Sequence, residues 1–108
     1  AAEFEIAMKV MEEIIYEKKN YDVVMGGNDP IALGCIAAMQ MTDKTDQVMV
    51  YGVDGSPDGK AMIKAGFLEG TAAQSPIKIG EKAVQTAYSY LAGETVKKHV
   101  TISVNKCR

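Results

Sequence analysis

The sequence has 108 residues, which is enough for one domain and too few for two of ordinary size. Its 12 basic and 14 acidic residues give a net charge of −2, so it lacks the basic surplus that nucleic-acid binding requires. The sequence contains no apolar run close to the roughly 20 residues of a membrane-spanning helix, and we expect no direct membrane insertion. An apolar fraction of 47% can supply a core.

The spacing of apolar residues alternates between helix-like and strand-like periods along the chain. In chain order it predicts helix 3–19, strand 22–25, helix 29–41, strand 47–53, helix 57–66, strand 70–73, helix 76–92 and strand 99–104. Strands that alternate with helices of this length need crossover connections. The sequence therefore predicts an α/β fold with an open parallel sheet and helices on both faces.

Few residues suit catalysis or metal binding. The two cysteines form no CxxC pair and the chain has one His, so we expect no metal site and no cofactor. Cys35 lies within a helical pattern, which predicts a buried free thiol. Asp54 has no evident proton-transfer partner, so we predict no catalytic residue and a protein that is not an enzyme.

All three prolines stand at predicted strand-to-helix turns, in the pairs Asp29-Pro30, Ser56-Pro57 and Ser75-Pro76. Asp and Ser are good N-caps, and Pro is favoured at the first helical position because its missing N–H is not needed there. We therefore expect the first residue of each pair to cap a helix and the proline to begin it.

A polar side chain stands just before each expected cap: Asn28, Asp54 and Gln74. Because parallel strands end along one edge of a sheet, we expect these side chains to converge in the crevice outside it, where ligands bind. Two amides and a carboxylate can donate and accept hydrogen bonds, which suits a neutral polyhydroxylated ligand. The alternative is that these residues only complete turns, since Asn and Asp are common turn formers.

Three helix N-termini directed to one place would also suit an anion. However, the sequence has neither GxGxxG nor GK[ST], and its three turns contain no Lys or Arg. A stand-alone flavodoxin-like domain that binds phosphate is therefore the less favoured hypothesis.

At these junctions the sequence resembles the sugar-binding proteins of bacterial ABC importers, the ribose type of periplasmic binding protein. The resemblance is carried by residues 28–34, 51–59 and 71–80 and extends through essentially the whole chain. The spacing from Asp54 to Gln74 agrees with the ribose-type pattern, whereas Val53 stands where ribose binders often carry Phe.

The resemblance implies that Asn28, Asp54 and Gln74 hydrogen-bond the hydroxyls of a sugar. It also implies a two-lobed protein that closes on its ligand about a hinge. Residues 1–74 would belong to the C-terminal lobe, residues 75–103 would cross to the N-terminal lobe, and residues 104–108 would return. Most of the N-terminal lobe would lie outside these 108 residues.

The implied function is to bind a monosaccharide, or a similar small polyhydroxylated ligand, for delivery to the permease of an ABC importer. The implied location is the periplasm or the cell exterior, with a lipid anchor in a Gram-positive cell, and a chemoreceptor is a further implied partner. The effector-binding core of a LacI-type transcriptional regulator shares the two-lobed fold and is the main alternative. An upstream DNA-binding headpiece would distinguish it.

Overall fold

A computed structural model describes residues 2–42 and 48–108. In chain order its elements are α1 (Ala2–Tyr16), β1 (Val23–Met25), α2 (Asp29–Gln40), β2 (Met49–Asp54), α3 (Pro57–Lys64), β3 (Gly70–Ala73), α4 (Pro76–Leu91) and β4 (Asn105–Cys107). The predicted alternation of helices and strands is therefore present. The predicted start of the second strand, Gln47, lies outside the described residues. None of the helices so described is both long and apolar enough to cross a membrane.

The chain divides into two compact units. The first contains the described residues up to Ala73 together with Asn105–Arg108, and the second is Gln74–Val104. The second unit contains α4 with the two residues before it and the chain that follows it, and no residue of α4 is buried. Gly93 has a φ of +81°, the left-handed conformation that favours glycine just past the end of a helix.

The first unit contains a four-stranded sheet in the order β1-β2-β3-β4. The β1–β2 and β2–β3 pairs are parallel, with Val24 opposite Val50 and Gly52 opposite Thr71. The β3–β4 pair is antiparallel and places Ala73 opposite Asn105. This open, mostly parallel sheet with its helices confirms the predicted α/β fold class.

The last strand lies further along the chain than predicted. Residues 99–104 form no strand, and Asn105–Cys107 pairs with β3 instead. The alternation of Val100, Ile102 and Val104 is compatible with an extended chain, but a strand also requires a neighbouring strand whose N–H and C=O groups it can bond. Those three residues belong to the second unit, whereas β3 belongs to the first.

The core of the first unit lies between α1, α2 and one face of the sheet. Its largest fully buried apolar side chains are those of Ile36, Met39 and Val50. The helices α1 and α2 approach closely at Gly34, where a Cβ would overlap the carbonyl oxygen of Phe4. Helix α1 contributes Ala7 and Met11 to the core, as the spacing of its apolar residues predicts.

The strand order places α2 and α3 on the same face of the sheet. The first three strands follow one another in a single direction, so two right-handed crossovers bring both helices to one side. On the other face Met25, Met49 and Tyr51 are 78%, 45% and 36% exposed. Within the first unit, therefore, the described helices cover one face rather than both.

Candidate functional site

Asn28 follows β1 and caps α2. Its Oδ1 accepts a hydrogen bond from the Ile31 N–H at 2.9 Å, and its Nδ2 donates to Glu3 Oε2 at 2.7 Å. An amide offers two hydrogens and two lone pairs, so one of each remains beyond these two bonds. Asn28 therefore completes a turn, as the alternative interpretation held, and still has hydrogen-bonding capacity for a ligand.

The expectation that Asp29 caps α2 was wrong. The helix begins at Asp29, which places Pro30 at the second helical position rather than the first. Asn and Asp are equally good caps, so adjacent Asn and Asp residues leave the cap ambiguous in the sequence. The prolines of α3 and α4 do begin their helices, after Ser56 and Ser75. The side chain of Ser75, however, makes no capping hydrogen bond.

Asp29 instead links the start of α2 to the cap of α3 and to β3. It is completely buried. Its Oδ2 accepts hydrogen bonds from the backbone N–H and the hydroxyl of Ser56, both at 2.7 Å, and its Oδ1 accepts one from the Thr71 hydroxyl at 2.6 Å. We call Asp29, Ser56 and Thr71 the Asp29 network. Sequence reasoning missed Thr71, because only the register of β2 with β3 brings it near Asp29.

Asp54 is the last residue of β2 and has a φ of +130°. A non-glycine residue with positive φ is uncommon and costs on the order of 1–3 kcal/mol, and such residues cluster at functional sites. The next residue, Gly55, also has a positive φ, and its N–H donates to the Thr71 hydroxyl at 3.2 Å. The backbone therefore turns sharply at the carboxyl end of this strand.

Asn28 and Asp54 lie at the same edge of the sheet. They stand at the carboxyl ends of β1 and β2, which are adjacent and parallel. Gln74 directly follows Ala73, the residue of β3 that pairs with Asp54, and is the first residue of the second unit. The structure thus brings two of the three predicted residues together within one unit and assigns the third to the other unit.

Cys35 is a free thiol and is buried, as predicted. Its burial raises the pKa of the thiol, because the charged thiolate loses the stabilisation that water provides.

In residues 2–42 and 48–108 there is no group of three or more His, Cys, Asp or Glu side chains that could hold a metal ion. The edge of the sheet where Asn28 and Asp54 lie offers two hydrogen-bonding groups, the amide of Asn28 and the carboxylate of Asp54.

Known proteins with similar sequences are binding proteins. The ribose import binding protein of Escherichia coli (strain K12) is 41% identical over 90 residues, which cover 83% of this chain and 30% of that protein. The D-allose-binding periplasmic protein of the same strain is 34% identical over 74 residues, covering 68% of this chain and 24% of that protein. The chain therefore spans about a third or less of these relatives.

Solved structures resemble the chain over nearly its whole length. An ABC transporter solute binding protein from Bacillus halodurans C-125, with bound myo-inositol, matches with a TM-score of 0.87 and 30% sequence identity. That match covers 96% of this chain and 36% of the other. Because all three relatives are named for binding, import or transport, the comparisons do not favour the LacI-type or the flavodoxin-like alternative.

The resemblance that the junctions suggested is confirmed by a family comparison. The sequence pattern of the family described as "periplasmic binding protein domain" matches residues 3–95, which is most of the chain. The protein is therefore a member of the periplasmic binding protein domain family.

Proposed function

We propose that this chain is part of a protein that binds a monosaccharide, or a similar polyhydroxylated ligand, for import by an ABC transporter. The observation that carries the proposal is the position of Asn28 and Asp54 at the carboxyl ends of two adjacent parallel strands. Ligands of open α/β sheets bind in the crevice outside that edge. Ribose, allose and myo-inositol, which the relatives' names mention, are all neutral and rich in hydroxyl groups.

The proposed ligand-binding residues are Asn28, Asp54 and Gln74. An ionised Asp54 accepts hydrogen bonds from sugar hydroxyls, and each buried bond of this charged kind contributes roughly 1.5–3 kcal/mol. Asn28 contributes one amide hydrogen and one lone pair, and Gln74 contributes a second amide. The proposed role of the set is recognition, because carboxylate and amide groups can hydrogen-bond the hydroxyls of a neutral ligand.

We further propose that the two units belong to the two lobes of a larger protein. The first unit would be part of the C-terminal lobe, and the second would belong to the N-terminal lobe. The chain leaves the first unit after Ala73 and re-enters it at Asn105, and these two residues are register partners in the β3–β4 pair. Two neighbouring connections of this kind suit a hinge, and ligand binding would favour the closed form.

The partners proposed with this function follow from the family. The permease of an ABC importer would receive the ligand, and a chemoreceptor is a second partner in the same hypothesis. The proposed location is the periplasm or the cell exterior. The relatives' names support the importer context, since they describe ribose import and ABC transport.

Isothermal titration calorimetry tests the proposal. The protein expressed from its complete natural reading frame would be titrated with D-ribose, D-allose and myo-inositol, and with inorganic phosphate for comparison. We expect saturable binding of at least one of the three polyols and no binding of phosphate. Asp54→Ala should weaken the binding by at least about tenfold, the loss of one charge-assisted hydrogen bond.

Asp58→Ala is the matched control. Asp58 is an exposed acidic residue in the first turn of α3, four positions from Asp54, so its removal changes the net charge equally. Binding of phosphate alone, or equal losses in the two variants, would contradict the proposed function.

A further inference from the structure

Asp54 has an unfavourable backbone conformation, and the two residues that follow it are hydrogen-bonded to side chains outside its own strand. Its φ of +130° is followed by a φ of +71° at Gly55. The backbone N–H groups of the next two residues, Gly55 and Ser56, both donate to side chains of the Asp29 network. The geometry of Asp54 is therefore coupled to residues that do not belong to the set proposed to contact the ligand.

The hydrogen-bond directions within the network are fixed by its chemistry. Thr71 has one hydroxyl hydrogen, which it donates to Asp29 at 2.6 Å, so its oxygen acts as the acceptor for the Gly55 N–H at 3.2 Å. Ser56 likewise donates its hydroxyl hydrogen to Asp29 and accepts from the Gly59 N–H at 2.9 Å. Asp29 accepts all three of these hydrogen bonds.

The space around this carboxylate is shaped by two glycines. A Cβ on Gly52, within β2, would overlap Oδ1 of Asp29, and a Cβ on Gly59, within α3, would overlap Oδ2. The carboxylate is thus enclosed by backbone on two sides and by hydroxyl donors from Ser56 and Thr71. A fully satisfied buried polar group of this kind fixes the arrangement of the elements that it joins.

We propose that Asp29 and Thr71 are positioning residues for Asp54. The network fixes the backbone immediately after Asp54, and so it maintains the positive φ at which the carboxylate is presented to the ligand. This inference rests on the proposed ligand-binding role of Asp54. It goes beyond that role because it assigns part of the affinity to two residues that do not touch the ligand.

The test compares Thr71→Val with Thr71→Ser in the protein from the complete reading frame. Valine nearly matches threonine in shape but removes the hydroxyl, whereas serine keeps it. Calorimetry with D-ribose, D-allose and myo-inositol should show at least about tenfold weaker binding for Thr71→Val, the loss expected of roughly one hydrogen bond. Binding by Thr71→Ser should stay within about threefold of the wild type.

A double-mutant cycle separates positioning from general structural support. If Thr71 acts through Asp54, Thr71→Val should weaken binding by less than about twofold when Asp54 is already alanine. Full and additive losses from the two substitutions would overturn the proposal, as would wild-type affinity in Thr71→Val. Thermal melts of each variant would show that the losses are measured on folded protein.

Amide hydrogen exchange provides a measurement that needs no ligand. In the same proteins without sugar, Thr71→Val should accelerate exchange of the Gly55 N–H by at least about tenfold, while Thr71→Ser should leave it protected. If the wild type binds none of the three polyols, the proposed function fails. Unchanged exchange at Gly55 in Thr71→Val would instead overturn the positioning role itself.

Discussion

The carboxylate of Asp29 accepts two hydrogen bonds from Ser56, each at 2.7 Å, one from its backbone nitrogen and one from its hydroxyl. Asp29 is the first residue of α2 and Ser56 is the cap of α3, so this contact joins two strand-to-helix turns. The Ser56 hydroxyl also accepts from Gly59 and thereby performs the ordinary capping function. Ser56 thus caps α3 and also hydrogen-bonds Asp29, the first residue of α2.

The enclosure of Asp29 predicts that Gly59→Ala destabilises the protein although alanine favours helices. In an ordinary helix the Gly-to-Ala substitution would raise the free energy of unfolding by about 1 kcal/mol. Here the new Cβ would overlap the Asp29 carboxylate and lie 3.1 Å from the Ser56 hydroxyl oxygen. We expect the free energy of unfolding to fall by about 1–3 kcal/mol, the usual cost of overpacking. Urea denaturation followed by circular dichroism measures it.

Gly80→Ala is the control for this prediction. Gly80 lies inside α4, and a Cβ there would meet no atom within 4 Å. Its substitution should leave the unfolding free energy unchanged or raise it by up to about 1 kcal/mol. A stabilising effect of Gly59→Ala comparable to that of Gly80→Ala would show that the carboxylate is not held in place.

The core predicts that alanine substitutions at two methionines, two residues apart, differ strongly in their effect on the free energy of unfolding. Met39 is completely buried against the sheet, whereas Met41, just past the end of α2, is 73% exposed. Met39→Ala would leave a cavity and should lower the free energy of unfolding by about 2–5 kcal/mol. Met41→Ala should change it by less than about 0.5 kcal/mol. Equal midpoints in chemical denaturation would contradict this account of the core.

The order of the elements was predictable from local signals. Proline after Ser marks the start of α3 and of α4, and the small-residue run 70–73 coincides with β3. The signals failed where two residues of equal propensity compete. Asn28 and Asp29 both suit a cap, and only the burial of Asp29 between α3 and β3 decides between them.

The candidate site was predictable only in part. The position of Asp54 at a strand end follows from the pattern, because the polar residue comes directly after an apolar run. Its positive φ has no such local signal, and the hydrogen bond from the Gly55 N–H to the Thr71 hydroxyl depends on the register of β2 with β3. Contacts between residues 42 apart, such as Asp29 with Thr71, are set by the fold and leave no local mark in the sequence.

The contact between Asn28 and Glu3 predicts a specific effect of Asn28→Asp. Aspartate can still cap α2, because its oxygen can accept from Ile31 as the amide oxygen does. The group now 2.7 Å from the Glu3 carboxylate would change from a donor to a second negative charge. We expect folded protein with sugar binding weakened by at least about tenfold at pH 7, since the amide donor is lost and like charges repel.

Adding Glu3→Gln provides the control for that substitution. Glutamine at residue 3 removes the repulsion but does not restore the amide hydrogen at residue 28. We therefore expect the double variant to recover the thermal stability of the wild type but not its affinity. Recovery of both would show that Asn28 serves only the turn, and that its amide contributes nothing to ligand binding.

The two cysteines should differ in reactivity toward a thiol reagent. Cys35 is buried in α2 and its pKa is raised by that burial, whereas Cys107 is only partly covered. Because the thiolate is the reactive form, Cys35 should react at least about tenfold more slowly than Cys107 at pH 8. Following the release of chromophore from Ellman's reagent measures both phases. Cys107→Ser should remove the fast phase only.

The same burial predicts a loss of stability at alkaline pH. The pKa of Cys35 is higher in the folded than in the unfolded chain, so the folded form resists ionisation. Its contribution to stability is complete below the unfolded pKa and is lost as the pH rises through the folded pKa. Tyr21 acts in the same direction, because burial, and then the charge of Cys35, raises the pKa of its hydroxyl.

Thermal melts at increasing alkaline pH should show a falling midpoint, with a shallower fall in Cys35→Ala than in the wild type. An identical slope in the two proteins would mean that the thiol is no harder to ionise in the folded chain than in the unfolded one.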